Sequence, residues 1–258
     1  MKRTACAKIG IVAVVFALVA SLLTACSSQD NSDNYKLVKE GTLTVASSLD
    51  FPPFETAADG VPSGYSVALA QEIANRLGLA CEVQNVEFDS VISEVAAGIK
   101  CDVAISSLAI TSERESQVDF TDPYYIGEQA VVVLSDTYAT AGELQDCPIA
   151  VKEGTTGATY ARDHISEKVT TYKTVAECFD ALQAGTVRGV VVDYPVAKTM
   201  IAQGYTNCEI LERVATGEKY AIAVNKDNRI LTDAINEVLQ AMDEDGTLEN
   251  LQKQYLGL

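Results

Sequence analysis

The strongest constraint on this chain is an order of local patterns that occurs twice. Residues 42–48, TLTVASS, are apolar and β-branched and predict a strand. SVALAQEIANRLG follows, with Leu69, Ile73 and Leu77 on one helical face, Ser66 as the expected N-cap and Gly78 as the stop. CEVQNVEF predicts a strand, DSVISEVAAG a helix ending at Gly98, and CDVAISS a third strand. Strands that alternate with helices in this way pair in parallel through right-handed crossovers. The order then returns in PIAVKEG, TTGATYARDHIS, KVTTYK, TVAECFDALQAG and GVVVDYP. Thr174 and Glu177 have the spacing of a capping box, and Val175, Phe179 and Leu182 form the stripe of that helix. Two similar α/β halves are expected.

Two further strands join the halves. EQAVVVLSD leaves the first half, and KYAIAVNKD is expected to return to it, so that the helical residues 230–258 complete the first lobe. The expected division is 40–128 for the first part of lobe one, 129–219 for lobe two and 220–258 for the rest of lobe one. Two crossing strands make a hinge.

The N-terminal 25 residues are set apart from the fold. A basic start (Lys2, Arg3, Lys8) precedes an apolar run from Ile9 to Val19, which has the anatomy of an export signal. The run closes on Leu-Thr-Ala-Cys, which resembles a bacterial lipobox. That resemblance implies that Cys26 is acylated and becomes the mature N-terminus, with residues 26–39 as a polar tether. The net charge of −17 argues against nucleic acid, whose affinity rests on Lys and Arg neutralising phosphates. It also implies that any membrane contact comes from the lipid. Beyond Cys6 and Cys26, five cysteines remain: Cys81, Cys101, Cys147, Cys178 and Cys208. Their odd number prevents all five from pairing internally, and free thiols, with at most one bridge, are expected. With no Cys-x-x-Cys spacing and a single histidine, His164, neither a metal site nor a cofactor is expected.

In open parallel α/β sheets ligands sit beyond the carboxyl ends of the strands. Ser47 and Ser48 follow the first strand here, and Ser106 and Ser107 the third. Gly154-Thr155-Thr156-Gly157 follows the first strand of lobe two, and Asp193 ends its last strand. Together with Arg114, these groups would line one cleft suited to a free α-amino acid. A guanidinium and backbone N–H groups suit the carboxylate, and a carboxylate suits the ammonium. Each has an ordinary alternative role. Arg114 reads as a solvated surface residue, Asp193 as an N-cap for PVAKTMIAQ, and Phe51 and Phe54 as core packing. Convergence at four strand ends favours the cleft.

The segments DFPPFE, GYSVALAQEIANRLG, CDVAISSLAITSERESQVDFTDPYY, VKEGTTG, ALQAGTVRGVVVDYPVA and DEDGTLENLQKQYLGL carry a resemblance over nearly the whole mature chain. They resemble the family 3 extracellular solute-binding proteins, the amino-acid receptors of ABC importers. The resemblance implies a two-lobe, type II periplasmic-binding-protein-like α/β fold that closes over a free amino acid, with a polar or cationic side chain weakly favoured. It implies a monomer that meets the membrane subunits of an ABC permease, and no enzymatic activity. By the same resemblance Arg114 grips the ligand carboxylate, assisted by Ser107, the backbone near it and Thr156, with Ser106, Thr111 and Thr155 also expected among the ligand-binding residues. Asp193 takes the ammonium, and Phe51 and Phe54 lie against the ligand. Ser48 and Lys152 match positions that touch the ligand side chain or the lobe rim. Ala109, also expected at the ligand, stands where many relatives carry a hydroxyl, so one ammonium contact is either missing or supplied by a backbone carbonyl or water. Ser66 and Ala68 replace acidic residues. Two other classes remain open on this fold: a cyclohexadienyl or prephenate-type dehydratase, and a ligand sensor without transport.

Overall fold

The computed structural model describes residues 36–257. The signal segment, the tether up to residue 35 and the expected lipid site Cys26 lie outside the described residues.

The strands are β1 (Thr42–Ser47), β2 (Asp50–Phe51), β3 (Glu55–Ala58), β4 (Val61–Ser63), β5 (Ala80–Asn85), β6 (Val103–Ala104), β7 (Asp119–Phe120), β8 (Tyr125–Leu134), β9 (Ile149–Lys152), β10 (Val169–Tyr172), β11 (Gly189–Asp193), β12 (Cys208–Tyr220) and β13 (Ala223–Val224). The helices are α1 (Tyr65–Arg76), α2 (Val91–Ala97), α3 (Ser112–Glu115), α4 (Thr156–Tyr160), α5 (Val175–Gln183), α6 (Tyr194–Gln203), α7 (Arg229–Glu244) and α8 (Thr247–Leu256).

One five-stranded sheet has the order β5-β1-β6-β13-β7, with β1 parallel to β5 and β6. A second has the order β10-β9-β11-β8-β12, with β9 parallel to β10 and β11. A small antiparallel meander, β2-β3-β4, hangs beside the first sheet. The result is a two-lobe type II α/β fold. Every residue of β11 is buried, as expected of a parallel-type strand covered on both faces.

Local chemistry explains most boundaries. The Thr174 and Glu177 side chains form the reciprocal capping box of α5. Gly98 ends α2 in the left-handed conformation at φ 60°. The N-cap of α1 is Gly64, and the expected cap Ser66 is buried within the first turn. The helix expected over 155–166 is α only for Thr156–Tyr160 and continues as one π turn, Ala161–Ile165.

The hinge differs from expectation in one respect. The returning strand begins well before KYAIAVNKD: β12 starts at Cys208 and runs antiparallel to β8 as far as Tyr220, opposite Tyr125. The lobes are then joined by two short passages, where Thr121 N–H donates to the Ile222 carbonyl (3.0 Å) and Tyr124 N–H to the Tyr220 carbonyl (2.9 Å). A Cβ added at Gly127 would fall 2.6 Å from the Tyr220 ring, so that close approach requires glycine. The five described cysteines are all free thiols.

Candidate functional site

The carboxyl ends of β6, β9 and β11 converge between the two sheets. A small cavity there is walled by Phe51, Phe88, Ser107 and Arg114 from the first lobe, and by Lys152, Thr155, Thr156 and Asp193 from the second, with Tyr220 from the crossing. Its volume is about 10 Å³, roughly the space of one water. The lobes are closed on one another, and larger contents require them to part. A wider vestibule of about 660 Å³ shares Arg114, Thr155 and Thr156 and opens past Tyr160, His164 and Glu218.

Arg114 is placed by a local device. Thr111 caps the single-turn helix α3, its hydroxyl accepting from the Arg114 N–H at 3.3 Å. The guanidinium donates from Nη1 to the Ala109 carbonyl (2.7 Å) and from Nη2 across the cleft to the Gly154 carbonyl (3.0 Å). Its carbon lies 5.6 Å from the Phe88 ring centre. Burial lowers its pKa, with Glu218, Glu113 and Asp193 pulling the other way. A guanidinium nonetheless stays charged. Thr111 therefore holds Arg114, and Ala109 contributes its carbonyl.

Asp193 occupies the N-cap position of α6, yet its side chain makes no capping bond. The carboxylate accepts from Gln129 Nε2 at 3.3 Å, and the same amide donates to Glu218 at 3.2 Å. Burial, then the nearby Glu218, pushes the Asp193 pKa up to about 8. Asp193 and Glu218 share this corner of the cleft, and among the described residues neither carboxylate has an ion-pair partner. Glu55 lies one layer behind the wall, where Ser107 Oγ donates to it at 3.2 Å, and burial pushes it up to about 8.

Lys152 sits at the centre of the cleft and only 3% of it is exposed. It pairs with Asp50 and donates to Ser48 Oγ at 3.1 Å, both across the cleft. Its Nζ lies 5.0 Å from the Phe88 ring centre and 5.4 Å from that of Phe51.

Other expected residues are placed differently. Thr155 spends its hydroxyl on the local turn, accepting from Ala158 N–H (3.2 Å) and donating to the Lys152 carbonyl (2.8 Å). Ser106 is fully buried and accepts from Ser48 N–H at 3.0 Å, tying two strand ends together. Phe54 is 0% exposed and absent from the cavity wall. It packs edge-on against Tyr65, Tyr125 and Tyr220, so it builds the core beneath Phe51. Phe88, Tyr220, Asp50, Gln129, Glu218 and Glu55 were not expected in or near the site. Only DFPPFE, which begins at Asp50 and ends at Glu55, carried a local signal for any of them.

A closing two-lobe shell around a cavity with charged walls defines a solute-binding protein. The model of the bacterial extracellular solute-binding proteins, family 3, matches residues 43–258, and the chain belongs to that family. ABC transporter arginine-binding protein 1 of Escherichia coli strain K12 is 32% identical over 214 residues, covering 81% of this chain and 88% of the relative. L-cystine-binding protein TcyJ of the same strain is 28% identical over 256 residues, covering 97% and 95%. A solved ancestral arginine-binding protein bound to arginine matches with a TM-score of 0.77 and 34% identity, over 83% of this chain and 98% of that one. The ancestral amino-acid-binding protein AncCDT-1, a precursor of cyclohexadienyl dehydratase, matches with a TM-score of 0.76 and 29% identity, over 84% and 96%. Among the described residues, no helix is long and apolar enough to cross a membrane.

Proposed function

We propose that this chain is the receptor of an amino-acid ABC importer, holding one free amino acid between its lobes and presenting it to the permease. One observation carries the proposal. Arg114 and Asp193 face a single buried cavity from opposite lobes, and among the described residues neither has an ion-pair partner. The guanidinium donates to two carbonyls, and the carboxylate accepts from an amide. A zwitterion supplies what each lacks: a carboxylate for the forked guanidinium and an ammonium for the acidic corner. Ser107 and Thr156, also on the wall, assist. Residues 40–128 and 220–258 move as one body and 129–219 as the other. The relatives that bind arginine and cystine and the family match support an amino-acid ligand. The protein acts as a monomer outside the cytoplasm, held to the membrane by acyl chains on Cys26.

Mass spectrometry of small molecules released on denaturation, followed by calorimetry with the twenty amino acids and cystine, tests the ligand class. Recovery and binding of none of them ends the proposal. For the anchor, Cys26→Ser should release the protein from the membrane fraction. Retention equal to the parent's ends the lipoprotein part.

One observation favours a second reading, a dehydratase of cyclohexadienyl acids. Asp193 and Glu55 are carboxyls pushed up to about 8, able to hold a transferable proton near neutral pH. Turnover of a supplied cyclohexadienyl acid separates the two.

A further inference from the structure

We infer that the site selects an amino acid with an uncharged carboxamide side chain, glutamine or asparagine, and rejects arginine and lysine. This rests on the amino-acid reading above and names the class within it. Once Arg114 and Asp193 take the α-carboxylate and α-ammonium, the side chain meets Lys152. That ammonium is 3% exposed, on the cavity wall, and flanked by the faces of Phe51 and Phe88. Among the described residues its one ion-pair partner is Asp50.

Charge balance in a closed cleft then decides among side chains. A guanidinium or ammonium would bring a second cation against Lys152 with one carboxylate between them. A ligand carboxylate would compete with Asp50 for Lys152, leaving one of the two anions desolvated without a partner. A neutral group leaves the Lys152–Asp50 pair intact. The pair has hydrogen-bonding capacity left on both members. Of the three N–H groups of Lys152, Asp50 and Ser48 take two. The second oxygen of Asp50, Oδ2, is buried and has no hydrogen-bond partner. A carboxamide offers an acceptor for the first and a donor for the second, and its methylene stem lies on the Phe51 and Phe88 rings. Of the polar and cationic side chains expected for this cleft, the geometry keeps the polar and discards the cationic.

Titration calorimetry of the purified, ligand-stripped protein with glutamine, asparagine, glutamate, arginine, lysine and cystine tests this. Glutamine or asparagine should bind tightest, with arginine at least a hundredfold weaker. Lys152→Met should lose at least tenfold for glutamine. It should also narrow the gap to arginine, because Asp50 is left without its cation. Arginine within tenfold of the better carboxamide, or glutamate or cystine tighter than both, overturns the selectivity while leaving the amino-acid reading intact. Silence from every amino acid overturns both. The panel on the parent protein decides the matter even if Lys152→Met does not fold.

Discussion

Arg114 and Lys152 are the two cations of the cleft, one from each lobe, and each reaches across to the other side. Arg114 reaches the Gly154 carbonyl of the second lobe, and Lys152 reaches Ser48 and Asp50 of the first. Their surroundings differ in one decisive way. Arg114 hydrogen-bonds neutral carbonyls and, among the described residues, has no ion-pair partner, whereas Lys152 is already paired with Asp50. A ligand anion at Arg114 replaces weak neutral acceptors with a charge-assisted fork and gains by doing so. A ligand charge at Lys152 gains little and strands a neighbour. On the proposed reading, one cation captures charge and the other tests whether a side chain is neutral.

The largest effect should come from removing the capturing cation. Truncating one member of a desolvated charged pair costs about 2–5 kcal/mol. At about 1.4 kcal/mol per decade, Arg114→Ala should weaken ligand binding by roughly thirtyfold to several thousandfold. Arg114→Lys should fall between, since it keeps the charge and loses the fork. Calorimetry reads both, and binding within threefold of the parent would remove Arg114 from the site.

Asp193→Asn should weaken α-amino acids by roughly tenfold or more while costing far less for a matched ligand without the α-amino group. Equal losses for both ligands would show that Asp193 does not receive the ammonium.

The same residue predicts a pH effect on the ligand-free protein. The folded pKa, about 8, lies above the ordinary carboxylate value of 3.8. Between those values the folded state holds a proton that the unfolded chain has released. Stability should therefore decline as pH rises from about 4 to about 8, by at most about 1.4 kcal/mol per pH unit for one group, and level off above. Glu55 contributes with the same sign. Melting temperatures at pH 5 and pH 8 should diverge less in Asp193→Asn than in the parent, and less still with Glu55→Gln added. Parallel lines for all three would contradict the buried-acid description.

The smallest effect belongs to the rim, where Lys173 pairs with Asp89 across the cleft at 2.7 Å and with Glu153 at 2.8 Å. More than half of the Lys173 side chain is exposed, so water and salt screen both pairs. Such pairs contribute little. Lys173→Ala should loosen ligand binding less than about fivefold, and the difference should vanish at high salt. A loss rivalling that of Arg114→Ala would move the closing force from the cavity to its edge.

What the sequence determined by itself was local. The alternation of strand and helix, the Thr174–Glu177 box and the glycine stop at Gly98 depend on neighbours within a few residues, and each is legible without the fold. The residues proposed to bind the ligand could be picked out because they follow strand ends, and strand ends converge in this class of sheet. What each one does could not. Phe51 and Phe54 are the same residue type three positions apart. The turn that returns Phe54 N–H to the Phe51 carbonyl puts one on the cavity wall and the other in the aromatic core. Thr111 and Thr155 looked like ligand hydroxyls and are spent on caps. The long strand β12 escaped notice because no residue between Cys208 and Tyr220 is buried and its run, CEILERVATGE, lacks a sustained alternation of apolar and polar residues, so it resembles a loop until β8 lies beside it. The partner of Lys152 is 102 residues away in the chain. Pairing of a buried charge is a property of two lobes meeting, so only the tertiary structure decided that Lys152 stands at the centre of the cleft with Asp50 against it.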